Sequence, residues 1–208
     1  MQYLMYILHK VSYNYLMKKQ NTREKLLDIT FQEVYINGYA STSVDAILKK
    51  AAVPKGSMYH HFKSKKELVL AMVQERLYPK MDEFFKLNSS ATAYEALDSL
   101  FLAMSKNKLL IQYGCPMYRL MVELSPIDKD FDKLFVTKYN QLVASFKILL
   151  QKDVKRGLLK KEIDTKEFAS FTIHSTWGTL SLSPTLSNSK IFLRDSNYIL
   201  QLLKTYYI

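Results

Sequence analysis

The sequence predicts an all-α fold of about nine helices, and three observations lead there. Glycine and proline number five each in 208 residues, too few for the many turns that a β-sandwich or barrel requires. Apolar residues recur at helical spacing, and no stretch of any length alternates as a half-buried strand does. Hydrophobic residues make up 48% of the chain, ample for a buried core. No run of about 18 apolar residues occurs, so no membrane-spanning helix is expected.

The opening twenty residues are rich in tyrosine and methionine. They lack the basic start and small-residue cleavage site of a signal peptide. Residues 1–18 are read as an N-terminal extension, and Met17, which opens a short basic arm, as a second candidate start of translation. The first helix is expected over about 23–37: Asn21 and Glu24 have capping-box spacing, and Leu27, Phe31 and Val34 recur at helical spacing, widened by Leu26 and Ile29. Gly38 should end it, with Tyr39 packing back over the last turn.

Ser41, Thr42 and Ser43 offer cap hydroxyls for a short second helix that turns Val44, Ile47 and Ala51 inward. After the turn AAVP, Pro54 suits the first position of a third helix, KGSMYHHF, about two turns long and unstable without neighbours. Ser64 and Glu67 form a second capping box for a long helix through about residue 87.

Further helices are expected over about 92–109, 117–124, 128–156, 165–182 and 190–206. The breaks between them fall at Tyr113 to Pro116, at Ser125-Pro126, at Gly157 and at Ser183-Pro184. No internal repeat or low-complexity linker appears.

The formal net charge is +11. Such an excess points to a polyanionic partner, nucleic acid or a membrane surface, unless it only solvates a lysine-rich exterior. Lys18, Lys19, Lys49, Lys50, Lys55, Lys63, Lys65 and Lys66 fall within residues 18–66, around the short N-terminal helices, which favours nucleic acid over membrane. The single cysteine excludes an intramolecular disulfide and a cysteine-cluster metal site, and suits the reducing cytosol. His60 and His61 are adjacent, and helix neighbours point about 100° apart, which argues against chelation. No metal or cofactor is expected. HExxH, GxSxG, P-loop and dinucleotide fingerprints are all missing, so no enzyme is expected.

The stretch TREKLLDITFQEVYINGYASTSVDAILKKAAVPKGSMYHHFKSKKELVLAMV resembles the N-terminal DNA-binding domain of TetR-family regulators almost position by position. The resemblance rests on Gly-Tyr, Thr-Ser, Lys-Gly-Ser-x-Tyr-x-x-Phe and Lys-Ser-Lys in order and at matching spacing. Beyond it, only the length, the helical content and the phrase GCPMYRLMVELSP are similar. The resemblance implies a three-helix DNA-binding domain with a helix-turn-helix over residues 19–74, the second short helix entering the major groove. The residues matching the family's DNA contacts are Thr42 or Ser43, Lys55, Ser57, Tyr59, His60 and Lys65. Lys55, Gly56, Ser57 and Met58 are the expected readers of base edges or thymine methyls, and Gly56 should let backbone come close to phosphate. Ser41 to Ser43 could equally serve only as a cap. Phe62 is expected in the core. Two departures stand out: Ala52 where glycine is usual, at a cost of order 1 kcal/mol if the backbone is left-handed, and Pro54 where a serine cap is usual.

The resemblance further implies that residues 75–208 form a helical effector-binding and dimerisation domain. The homodimer would form through the last two helices, about 165–206, along Phe168, Phe171, Ser175, Gly178 and Leu182 on one and Ile191, Tyr198, Leu202 and Tyr206 on the other. Candidate effector contacts are Phe101, Met104, Tyr113, Cys115, Tyr118, Met121, His174 and Trp177, a lining suited to an apolar or amphipathic molecule, although each could be ordinary core. The expected protein is a cytoplasmic, effector-released repressor on a palindromic double-stranded operator. The alternative is an activator or architectural protein that binds DNA without a ligand.

Overall fold

Caps and breaks place the helices in the structure, a computed structural model that describes residues 21–86, 91–186 and 189–208. The extension 1–18 and the Met17 start lie outside the described residues. The chain divides into two units, Met1–Pro79 and Lys80–Ile208, where the sequence suggested a boundary at 74.

In the first unit, α1 (Thr22–Asn37) begins at Asn21, whose side-chain oxygen accepts from the Glu24 N–H at 2.9 Å. Glu24 does not complete the box; its carboxylate pairs with Arg76 instead. Gly38, at φ 82°, ends the helix and donates its N–H to the Val34 carbonyl. Leu26, Leu27, Ile29 and Val34 are buried. Each contributes about 1.5–3 kcal/mol by leaving water.

α2 (Val44–Ala51) starts on the Ser43 hydroxyl, which accepts from the Ala46 N–H at 3.1 Å. It buries Ile47, Leu48 and Ala51. Ala52 closes it in the left-handed conformation expected, φ 53° and ψ 46°, and the Val53 N–H reaches back to the Leu48 carbonyl at 3.1 Å. This is the Schellman geometry that glycine ordinarily serves. α3 (Lys55–His61) follows with Pro54 as its N-cap residue and no side-chain cap bond.

α4 (Lys65–Met72) starts on Ser64 and turns Leu68, Val69 and Met72 inward. The sequence suggested one uninterrupted helix to about residue 87. In the structure a π-helical turn, Val73–Leu77, separates α4 from α5 (Tyr78–Phe84). Pro79 has no N–H for the Glu75 carbonyl four residues back. That carbonyl accepts from Arg76 Nη1 at 3.1 Å. The wider turn lets both Glu75 and Arg76 meet α1: Arg23 donates to Glu75 through both terminal nitrogens, and Arg76 pairs with Glu24 and Asp28.

The second unit contains α6 (Ala93–Lys106), α7 (Lys108–Tyr113), α8 (Pro116–Leu124), α9 (Lys129–Lys155), α10 (Thr165–Leu186) and α11 (Ser189–Lys204). α6 carries a complete capping box between Thr92 and Glu95. α7 was not expected as a helix of its own. Asn107 ends α6 and caps α7, accepting from the Leu109 and Leu110 N–H groups. Gly114, at φ 77°, makes the turn into α8, where Pro116 takes the first position.

Ser183-Pro184 was expected to end the tenth helix near 182, yet α10 continues through Pro184. Proline forfeits one bond to the Leu180 carbonyl, and Gly114 packs beside that oxygen, where a Cβ would stand only 3.1 Å away. A side chain at Gly114 would crowd that freed carbonyl.

α10 lies against α7, α9 and α11, and α6 against α11. Phe101, Phe131, Phe135 and Phe192 fill the space between them with almost no exposed surface. The C-terminus is held down as well. Buried Asp153 accepts from the Ala93 N–H at 2.6 Å and the Tyr207 hydroxyl at 2.8 Å, and the Ile208 N–H donates to the Leu158 carbonyl. Among the described residues no helix is long and apolar enough to cross a membrane.

Candidate DNA-binding interface

α3 is a two-turn helix with two unlike sides. Met58 has no exposed surface and Phe62 is 2% exposed; these two side chains anchor α3 to the core of the first unit. Arg23 lies over the Phe62 ring at 5.3 Å and ties that anchor to α1. On the other side Lys55, Gly56, Tyr59 and His60 are exposed and Ser57 is half-buried. Almost half of the Tyr59 surface, 49%, is open, and its phenol can donate a hydrogen bond.

Gly56 would have nothing within 4 Å of an added Cβ. Its lack of a side chain is therefore not required by the protein's own packing, and it leaves a smooth approach to the start of α3.

Several residues expected at the interface are instead turned inward. Met58 is the clearest correction: buried as it is, it cannot meet a base edge, because its thioether fills the core beneath α3. The Thr42 side chain is only 2% exposed and its hydroxyl donates to the Gly38 carbonyl at 2.7 Å. It braces the α1–α2 turn, leaving Ser43 as the exposed member of the pair, and Ser43 is already engaged as the α2 cap.

Lys65 donates to the Tyr39 carbonyl at 2.6 Å and sits 4.1 Å from the centre of the Tyr39 ring. Tyr39 thus receives Lys65 rather than simply covering the last turn of α1. Lys50 is likewise committed, bonded at 2.5 Å to Glu33, which is 5% exposed. What remains outward is a compact set of donors: Lys55, Ser57, Tyr59 and His60, flanked by Lys49 and Lys63. Sequence reasoning overlooked Asp45, whose Oδ1 is 3.7 Å from Lys55 Nζ. Its place in the first turn of α2 was the only available signal.

This geometry, a groove-sized helix with its donors outward on a two-helix support, has close counterparts. Residues 26–72 match the family model described as bacterial regulatory proteins, tetR family. An uncharacterised HTH-type transcriptional regulator from Lactococcus lactis is 35% identical over 149 residues, 69% of this chain and 74% of its own length. The chain belongs to the TetR family of bacterial regulatory proteins. Its fold agrees: a TetR transcriptional regulator from Chloroflexus aurantiacus superposes with a TM-score of 0.81 at 21% identity, over 89% of this chain and 96% of that one. The TetR-family regulator CifR, in a cysteine-substituted form bound to a 26 bp double-stranded operator, superposes at 0.72 with 15% identity, over 86% and 95% of the two chains. The protein is a DNA-binding TetR-family transcriptional regulator.

In the second unit of this TetR-family protein, the eight residues proposed for an effector do not form one site. Phe101, Met104 and Trp177 surround an internal void of about 10 Å³ with Phe85, Phe146 and others. Tyr113 and Tyr118 lie on an open cleft of about 400 Å³ together with Arg119, Glu123 and Pro184. Tyr118, Met121, His174 and Trp177 share a second cleft of about 290 Å³, which Val136 and Tyr139 complete.

Cys115 is in the wall of none of these three. It is 6% exposed, and burial pushes its thiol up to about 11. Val136 and Tyr139 escaped sequence reasoning because they lie on α9, whose long amphipathic pattern reads as core and surface alone. The Tyr139 hydroxyl meets His174 Nε2 at 2.8 Å with the two rings stacked 7° from parallel, and Trp177 is 5.6 Å from Tyr118 and 5.9 Å from Tyr139.

Proposed function

We propose that the protein is a homodimeric repressor that binds a near-palindromic operator and leaves it when a small apolar or amphipathic molecule binds. The observation that carries this reading is the two-sided α3, held by Met58 and Phe62 with Lys55, Ser57, Tyr59 and His60 turned outward. Most of these side chains meet phosphates and position the helix; Lys55 and Ser57, at its start, reach base edges. A partner of this kind places the protein in the cytoplasm.

One two-turn helix makes too few contacts for tight, specific binding, so a second copy is needed. α10 and α11 supply the surface for it. Phe171, Leu182, Leu193, Tyr198 and Leu202 are exposed there by 37–66%, an apolar set that a monomer would leave in water. Phe168 drops out of the expected dimer face, since it is 7% exposed and packs against Phe171 and Tyr206 within its own chain. Two copies related by a twofold axis read half-sites about 34 Å apart, one helical turn of DNA.

The effector site is the cleft of Tyr118, Met121, Val136, Tyr139, His174 and Trp177. Its walls are aromatic and apolar, and the paired Tyr139 and His174 offer a hydrogen bond at one edge. A ligand acts only through a difference in affinity between the DNA-bound and released conformations.

The test is a titration against DNA from upstream of the protein's own gene and against a randomised pool, at two salt concentrations, with Tyr59→Ala as control. Saturable binding that resists competitor DNA, weakens with salt and is lost in the variant supports the reading. Binding that competitor abolishes equally in both proteins refutes it. Trp177 is the single tryptophan, so its emission reports on occupancy of the cleft in a ligand screen. A ligand that quenches Trp177 while leaving operator affinity unchanged would refute the release mechanism.

A further inference from the structure

The described part of the first unit contains six acidic residues, and five are spent on holding the fold. Glu24 and Asp28 grip Arg76, Glu33 grips Lys50, Glu75 grips Arg23, and Glu67 accepts from the Lys63 N–H at 2.8 Å. The sixth is Asp45. Its side chain is 80% exposed in the first turn of α2, and the Ser43 hydroxyl already caps that helix. Lys55, the first residue of α3 and 63% exposed, stands 3.7 Å away. One carboxylate therefore projects beside the outward Lys55, Ser57, Tyr59 and His60, none of which carries a negative charge.

Beyond the general preference of a helix's first turn for an acid, an anion there has one use toward DNA. Facing phosphates it repels them, and it weakens the attraction of Lys55 for them as well. Facing base edges in the major groove, it can accept from an exocyclic amine. Adenine N6 lies beside the N7 acceptor, which opposes a carboxylate, whereas cytosine N4 has no acceptor next to it on the outer edge.

We propose that Asp45 is a sequence-reading residue that selects a cytosine in each half-site, with Lys55 as its counter-ion. The inference rests on the operator-binding reading above. In the free protein Lys55 stands beside the carboxylate as its counter-ion. In the complex the same carboxylate makes non-cognate DNA worse, since a sequence without the amine leaves an unmatched anion in the groove.

The experiment selects bound sequences from a randomised duplex pool with the full-length wild type, Asp45→Ala and Asp45→Asn, and measures the salt dependence of binding to a random-sequence duplex. Wild type should enrich a symmetric site with cytosine at one fixed place per half. Asp45→Ala should keep the rest of that site and lose the preference there, discrimination falling roughly 5- to 150-fold. It should also bind the random duplex more tightly, with a steeper salt dependence by about one charge per subunit as Lys55 turns to phosphate. Asp45→Asn should move the preference toward adenine, which an amide matches with both its groups.

Circular dichroism establishes that each variant is folded, and if Asp45→Ala is not, Asp45→Asn carries the test. A folded variant that enriches the wild-type site unchanged overturns the proposal and leaves Asp45 as an ordinary first-turn acid. A wild type that enriches no sequence overturns the operator-binding reading along with it.

Discussion

Met58 and Tyr59 are neighbours on one short helix, and the structure turns one inward and the other outward. Replacing each by alanine separates holding α3 from using it. Met58 has no exposed surface, so Met58→Ala leaves a cavity under a helix too short to persist alone. Such truncations cost about 2–5 kcal/mol, and at about 4–8 °C per kcal/mol for a domain of this size the melting temperature should fall by of order 10 °C or more. Tyr59 is 49% exposed, so Tyr59→Ala should shift stability by no more than about 0.5 kcal/mol. Removing a hydrogen bond to a charged phosphate costs about 1.5–3 kcal/mol, roughly 10- to 150-fold in affinity per half-site. Thermal denaturation followed by circular dichroism and operator binding followed by fluorescence anisotropy, run on both variants, separate the two effects. Tyr59→Ala that melts as early as Met58→Ala, or that binds operator as wild type does, would refute the assignment. So would Met58→Ala that retains wild-type stability.

Four further outcomes follow from the same geometry. Ala52→Gly relieves a left-handed alanine worth about 1–2 kcal/mol, against an unfolded-chain entropy of about 0.4–1 kcal/mol; the melting temperature should rise by the equivalent of up to about 1.5 kcal/mol, and a fall would contradict strain at φ 53°. The hydrogen bonds from Arg23 hold the Glu75 carboxyl below its ordinary 4.5, so its stabilising effect is present above that pH and is lost as pH falls through the lowered value; the difference in melting temperature between wild type and Glu75→Gln should therefore close on acidification, and a constant gap would contradict the pairing. Cys115, buried with its thiol raised to about 11, should react with Ellman's reagent only as the protein unfolds, and rapid labelling of the native protein would contradict its burial. Tyr198→Asp puts a charge at a side chain 66% exposed on α11, and sedimentation should show monomer with operator affinity much reduced; a dimer that survives the change would remove this face from the interface.

Most of the helix boundaries could be read from the chain because they are local events. Asn21, Ser43, Ser64 and Gly38 act within four residues of themselves, and each behaves as its chemistry requires. The departures arise where a distant partner decides. Pro184 reads as a helix end, but α10 runs on through it to Leu186, and the turn at Gly114 comes close to the Leu180 carbonyl. The π-helical turn at Val73–Leu77 has no local signature beyond Pro79, since its other cause is a pair of arginine contacts about fifty positions apart in sequence. The cleft proposed for an effector was only half legible for the same reason. Trp177 and Tyr118 draw notice as aromatic residues, while Val136 and Tyr139 join them only once α9 lies against α10.

The interface poses a different problem, because a sequence motif records constraint without recording its cause. Lys55, Tyr59, Met58, Thr42 and Lys65 all belong to one pattern, yet only the first two project outward with much of their surface free. Thr42 and Lys65 are directed into the backbone of the α1–α2 turn, and Met58 into the core. A helix of two turns must be held on one side as tightly as it is presented on the other, because it lacks the length to hold itself. Residues that hold it are therefore as restricted in kind as residues that touch the partner, and spacing alone cannot separate them. Burial and hydrogen-bond direction do separate them, and the same two measures bring forward Asp45, an outward acid among donors that the motif itself gave no reason to notice.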